Sequence, residues 1–503
     1  MKTKVKLLAA SLAVLMVVVL LPAPAEAVTY TVDDAESFAE ALALLDDGDT
    51  IKLEADINYT VSTASKAISV AGKSITIDVG DYTLNVTNTY SNSTGLEVNN
   101  GKVELVCGTG AFNVTGEIYG VYALNGGEAT VTSATGTIDG GYGVLAYGAG
   151  SKVTVTGRAQ GVLNGAAAME GGTVIAGSAI STGTGSGNGI FAHGADSSVT
   201  VSGEATGYDS GIYAAEGATA AAGSASGTGS VSFGIYVINA SVTVTGAVTG
   251  VNNGVGLSGG TAVVGSAAGT GTTGIGVNAS NGTVTVNGDA TGYIAIDAMN
   301  SATVTVNGDA RGIATGVLAL SGASVTVDDA IATGTNSYGA KAVGGSTITV
   351  NGDAEGQDYG AWAQGLNSTI IVSGMARASS PTSYGACASD SGIVEAGAAE
   401  GGTYGAIAIG ASSRVTVSGT VQGTASGAYA NLGTVSAGSA TSTGDGSFGV
   451  FADGGTIEIN GNVTGAGYGA WAHNNSTIQV NGAVQGVSYG VFADGSTIVV
   501  NGN

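Results

Sequence analysis

The chain has 503 residues, of which 37 are Asp or Glu and only 13 Lys or Arg, for a formal net charge of −24. That balance repels phosphate backbones and disfavours nucleic acid as a partner. Charged residues make up 10% and hydrophobic ones 44%, which argues against disorder, while 89 glycines with only 3 prolines and no Gly-X-Y period exclude collagen.

The N-terminus reads as a secretory leader. Lys2, Lys4 and Lys6 precede an apolar run of 15 residues, Leu7 to Leu21. Pro22-Ala23-Pro24 breaks the run, and Ala25-Glu26-Ala27 offers small residues at the −3 and −1 positions of a cleavage site. The run is shorter than the roughly 20 residues of a spanning helix, and no later stretch is long enough to cross a bilayer. The expected signal peptide is therefore 1–27, and the expected destination is extracellular, either free or attached to the cell surface. Loss of Lys2, Lys4, Lys6 and Glu26 leaves 10 basic and 36 acidic residues, a net charge of −26.

Residues 28–88 read as an N-terminal cap. Asp33-Asp34-Ala35-Glu36 predicts a capping box at Asp33, and Phe38, Leu42 and Leu45 share one face of a helix over about 35–45, stopped by Gly48. Asp49 to Leu53 and Ser74 to Asp78 read as first strands.

From 89 to 503 the chain repeats. Tyr468-Gly469-Ala470-Trp471-Ala472 followed by Thr477-Ile478-Gln479-Val480 returns as Tyr489-Gly490-Val491-Phe492-Ala493 and Thr497-Ile498-Val499-Val500. Followed backwards, the anchor glycine of the first motif runs through Gly360, Gly316, Gly274, Gly254 and Gly120 to Gly95, with Ala295 taking its place once. That makes 19 anchors, and 395 residues over 18 intervals give a period near 22. Each unit holds two alternating apolar segments and a weaker third, such as Gly288 to Gly292, with no helix-length pattern. Three short strands per unit, stacked parallel, predict an all-β fold: a parallel β-helix of about 19 coils of about 20–25 residues, roughly 90 Å long. The residue after the anchor and the alanine two further on are uniform and face in. The residue between them varies from Asp297 through Lys341 to Trp362 and faces out.

The helix, then Gly48-Asp49-Thr50-Ile51, Gly72-Lys73-Ser74-Ile75-Thr76-Ile77 and Asp81-Tyr82-Thr83-Leu84 resemble the start of secreted right-handed parallel β-helix proteins, a group that includes pectate-lyase-like enzymes and adhesin-like bacterial surface proteins. The resemblance covers nearly all of the mature chain as architecture. It implies the fold, and only weakly an activity, because one fold hosts many functions.

An enzyme of that group would need clustered acidic Ca²⁺ ligands and a basic residue poised to take a proton. Asp289, Asp309 and Asp353, on matching turns near Arg311 and Lys341, are the candidates, set against the plainer reading of solvated acidic turns. No other cofactor is expected. His193 and His473 lie about a dozen coils apart and belong to no common site. Cys107 and Cys387, 280 residues apart, are too distant in a solenoid for an intramolecular bridge.

The outward aromatic row Trp362, Tyr429, Phe451, Trp471 and Phe492 is the candidate binding surface, for surface glycans or other surface proteins. Stacking that merely stabilises the sheet is the competing account. Thr-x-Thr pairs at Thr283/Thr285, Thr303/Thr305 and Thr347/Thr349 resemble the arrays of β-helical antifreeze proteins. Ser324, Ile371, Glu458, Gln479 and Val499 interrupt a regular array of pairs. The expected function is a structural or adhesin-like surface rod, not an enzyme. A polysaccharide-active enzyme or carbohydrate-binding β-helix is the alternative, and ice binding a distant third. The last strand, Thr497 to Asn501, has the sequence of an interior coil, which predicts continuation beyond Asn503, and end-to-end association of the chain as given.

Overall fold

The computed structural model describes residues 26–502. The expected leader, 1–27, lies outside them apart from its last two residues. No described helix is long and apolar enough to cross a membrane.

Strand β1 (Thr29–Val32) is followed by α1 (Ala35–Leu44), the one helix of the described chain, then by β2 (Thr50–Leu53), β3 (Ile57–Val61) and β4 (Lys66–Ala71). From β2 onward the chain winds as a parallel β-solenoid of about 21 turns. Each turn contributes to three walls. In one coil, Tyr468–His473 lies in the first wall, Thr477–Val480 in the second and Val484–Gly486 in the third. Each strand pairs in parallel with its equivalent one coil away. The turn count exceeds the expected 19 because residues 50–88 already form coils: β2 pairs with Ser74–Gly80, β3 with Thr83–Asn88 and β4 with Thr94–Asn99.

The register follows the anchor glycines at every coil but one. Asn253 pairs with Ile275 and Val255 with Val277, so Gly254 stands opposite Gly276, not Gly274. The sequence Gly274-Ile275-Gly276 offers two glycines, and burial of Val277 and Ala279 selects the second.

The interior is narrow because its residues are small. Val, Ile and Ala line it on all three walls, and Phe38 and Phe112 are the only aromatic side chains among the largest fully buried ones. Glycine makes the corner between the third and first walls. A methyl group on Gly465 would overlap the carbonyl of Tyr468, and one on Gly469 the carbonyl of Gly490 in the next coil. The corner between the second and third walls is instead a bulge, as where the ladder shifts register between Val155 and Arg158 or between Val417 and Thr420. Variation in coil length gathers at the glycine corner. Many coils turn there in two residues, as at 466–467, and nearly as many in five, as at 137–141, 228–232, 333–337 and 443–447.

The cap starts one residue later than predicted. Asp34, not Asp33, is the N-cap. Its carboxylate accepts from the Ser37 amide at 2.8 Å, and Ser37 Oγ accepts from the Asp34 amide at 3.2 Å, so Ser37 plays the part expected of Glu36. This phase turns Phe38 and Ala41 inward, with Phe38 edge-on to Tyr59 at 5.2 Å between ring centroids.

A rod of about 21 turns at ~4.8 Å per turn is ~100 Å long and should have a radius of gyration of ~30 Å, against ~23 Å for a compact domain of this length. Small-angle X-ray scattering on the monomer separates the two values.

Candidate functional site

The first wall carries the aromatic residues. Its outward positions are the fourth residue of each strand, recognised in the sequence, and the first, immediately before the anchor glycine, which was not singled out. Tyr338, Tyr359, Tyr384, Tyr404, Phe448, Tyr468 and Tyr489 occupy the first position. The two rows interlock. Tyr359 stacks on Trp362 at 4.7 Å, Phe448 on Phe451 at 5.2 Å, and Tyr468 meets Trp471 edge-on at 4.8 Å.

In the fourth position Cys387 and Ile407 interrupt the predicted row between Trp362 and Tyr429. The first-position tyrosines bridge that gap, with Tyr359–Tyr384, Tyr384–Tyr404 and Tyr404–Tyr429 at 5.1, 5.7 and 5.1 Å. The result is one aromatic spine from Tyr338 to Phe492. Some neighbouring rings are nearly parallel, 4° between Tyr429 and Phe451 and 11° between Tyr468 and Tyr489, whereas Trp471 stands at 52–85° to Phe448, Phe451, Tyr468 and Phe492. Where the rings are parallel and this close, each covers part of its neighbour's face. Burial accordingly raises the pKa of Tyr359, Tyr404 and Tyr429.

Lys341 lies along the same spine, its ammonium 4.6 Å from the Tyr338 ring centre and 4.2 Å from that of Trp362. Burial lowers its pKa, and the aromatic faces hold the charge in place of water. Among the described residues it makes no ion pair, and it lies on a different wall from Arg311, so the two basic candidates do not converge. Asp297, three coils before Trp362 in the fourth position, has a buried Oδ1 without a partner, and burial raises its pKa.

The acidic candidates sit together in a way the sequence only half displayed. Ala290, Ala310, Ala330 and Ala354 pair in succession, so Asp289, Asp309, Asp329 and Asp353 occupy one corner on four successive coils, and Asp329 completes the set. Their carboxylates serve the backbone. Asp289 accepts from the Asp309 amide at 3.0 Å, Asp329 from Asp353 at 2.8 Å and Asp353 from Met375 at 2.7 Å, while Asp309 pairs with Arg311. Asn462 does the same for Ala483 at 2.9 Å, and an amide that substitutes for a carboxylate marks an acceptor role. Among the described residues no group of three or more His, Cys, Asp or Glu is arranged to hold a metal ion.

A further acceptor set went unread in the sequence. Ser151, Ser197, Ser368 and Ser413, just before the second-wall strands, are buried and donate to the carbonyl four residues earlier at 2.6–2.7 Å. The same oxygens accept from the backbone of the preceding coil, as Gly126 to Ser151 at 3.1 Å and Ser391 to Ser413 at 2.9 Å. A serine one residue before each Lys/Thr/Ser/Arg-Val/Ile pair was the available signal.

The outer face of the second wall is two columns wide. From coil to coil the first column reads Thr173, Ser198, Thr219, Ser241, Thr261, Thr283, Thr303, Ser324, Thr347, Thr369. The second reads Ile175, Thr200, Ala221, Thr243, Val263, Thr285, Thr305, Thr326, Thr349, Ile371. None of these side chains is buried.

The concavities are shallow. A groove of about 490 Å³ lies between α1 and β4, lined by Leu42, Leu45, Tyr59, Ile68 and Val70. Its lysines are engaged, Lys66 with Glu97 at 2.5 Å and Lys73 with the Leu45 carbonyl at 2.6 Å. His193 and His473 each meet one carboxylate, Glu216 at 3.5 Å and Asp494 at 3.1 Å, far apart on the first wall.

Both cysteines are free, Cys107 exposed and Cys387 buried, and burial pushes the Cys387 thiol up to about 12. Since the thiolate is the nucleophile, a maleimide at pH 8 should label one thiol per native chain and two after denaturation. Cys107→Ser should abolish the native label.

Comparison of the chain with protein-family models, with curated proteins and with solved structures finds no match.

Proposed function

We propose that the chain is a secreted or surface-attached structural rod of the adhesin-like kind, which holds a long rigid surface for contact with other surfaces. What supports this reading is the continuity of the three walls. The register runs through the solenoid with corners of only a few residues, so the fold stiffens a line and, among the described residues, raises no long loops around a cleft. The finer likeness to pectate-lyase-like proteins remains part of this proposal.

A carbohydrate-active reading has one observation in its favour, the aromatic spine. The basic residues nearest carboxylates are neutralised, however: Arg311 by Asp309, Arg377 by Glu355 at 3.4 Å and Glu400 at 3.2 Å. The test is incubation with acidic and neutral polysaccharides in the presence of Ca²⁺, followed by product analysis. No turnover is expected. Turnover abolished by Asp309→Ala or Arg311→Ala would establish the enzyme reading instead.

A further inference from the structure

We infer that the second wall between Thr173 and Ile371 binds crystalline water, an activity beyond display by a rod. The Thr-x-Thr pairs taken alone form no regular array. The register shows that the pairs are the densest part of a larger one. On ten successive coils the first column is always Thr or Ser, and the second always Thr or a small or β-branched apolar residue. No charged side chain falls in either column, in a chain of net charge −24. Charge returns at both ends, with Lys152 and Glu128 before and Glu395 and Arg414 after. A wall that is simply solvated carries interspersed charges, so a neutral stretch bounded this sharply calls for a neutral partner.

The spacing narrows that partner. Rungs repeat at ~4.8 Å along the rod, and the two columns stand ~6.6 Å apart, two residues along a strand. Each threonine presents one methyl and one hydroxyl, and the hydroxyl both donates and accepts. β-Branching leaves few rotamers to lose on binding. The Ile, Val and Ala members replace a hydroxyl with carbon, without charge. The wall is therefore a stiff lattice of alternating methyl and hydroxyl groups that holds its first water layer at fixed, repeating positions, as a growing ice face does.

Other occupants fit less well. Ten rungs span ~43 Å, and a strip two columns wide covers roughly 400 Å², about half of what each partner contributes to a stable protein interface. It has no aromatic or Arg anchor for a protein hot spot. It also has no aromatic face, amide or charge to orient a sugar.

The test is partition into slowly grown polycrystalline ice, with ice-grain coarsening as a second readout. The purified chain should enter the ice and slow coarsening severalfold. A double variant, Thr285→Lys with Thr305→Lys, places two charges at the lattice centre and should be excluded from ice. Thr464→Lys, on the exposed third wall, should behave as the unaltered chain. Circular dichroism melts confirm that all three proteins fold. Exclusion of the unaltered chain from ice overturns the inference, as does full incorporation of the double variant. Retention on insoluble neutral polysaccharide but not in ice, lost in the double variant, would reassign the wall to a glycan.

Discussion

Gly360→Val is expected to destabilise the rod by about 3 kcal/mol or more, the upper end of the overpacking range. A Cβ at Gly360 would stand 2.5 Å from the Arg377 amide nitrogen and 2.7 Å from both the Ala376 carbonyl carbon and the Gly385 oxygen. All three are backbone atoms, two across the corner and one in the next coil, so no side chain can turn aside to admit it. Alanine takes this position twice, at Ala67 in β4, opposite Gly95, and at Ala295. Ala295 sits where the ladder shifts register between Gly292 and Ile294, so the corner there is locally rearranged. Because each coil leans only on its neighbours, the damage should be local. Hydrogen exchange should accelerate over residues 338–409 and leave distant coils protected. Trp362→Ala, two residues along the same strand, is the comparison. It removes stacks with Tyr338 at 5.6 Å and Tyr359 at 4.7 Å, each worth about 0.5–1.5 kcal/mol. Equal losses in urea melts would show that the corner is not the tight point.

The second large effect concerns the first coil and tests the predicted cleavage after Ala27. The Val28 nitrogen donates to Asp49 Oδ1 at 2.7 Å, and the Asp46 amide donates to Oδ2 at 2.7 Å. Asp49 is only 2% exposed, and these hydrogen bonds, that from Val28 first, hold its carboxyl below the usual range. Cleavage would turn the Val28 amide into an ammonium on the same oxygen, a charge-assisted bond worth on the order of 1.5–3 kcal/mol. A chain beginning at Val28 should therefore protect Thr29–Val32 and Thr50–Leu53 from exchange better than one extended upstream, and Asp49→Asn should erase the difference. The pH dependence has two limbs. The depressed Asp49 contribution is present above its unfolded pKa of ~3.9 and is lost as pH falls through the lower folded value. The ammonium, its pKa raised by the carboxylate, contributes fully below ~7.7 and is lost as pH rises through its folded value. Only the processed chain should show the alkaline limb. Its absence would mean that Val28 is not the mature terminus.

The walls were legible in the sequence because inward positions on a strand tolerate so little. Val or Ala after each anchor and Ala two residues later describe the cross-section directly. The Gly274 misassignment arose where two glycines flank one isoleucine, and only the packing of Val277 and Ala279 distinguishes them. The aromatic row was visible in its fourth-position members. Its continuity was not, because it passes through Tyr384 and Tyr404, which belong to a different column of the strand. Likewise Asp329 was missed beside Asp289, Asp309 and Asp353, since stacking across coils of unequal length is settled by ladder register and not by spacing along the chain. The helix starts at Ala35 as expected, but its cap was misplaced by one residue because Asp33 and Asp34 both offer one, and the Ser37 contacts of Asp34 decide between them.

The hydrogen bonds between coils all run along the axis of the rod, so a pull on its two ends loads them one coil at a time. A coil that yields removes ~5 Å of rod and pays out about 22 residues of extended chain, roughly 75 Å. Under tension the molecule is a spool: short and stiff at rest, yet able to lengthen many times over in equal steps while the coils not yet unwound keep their structure.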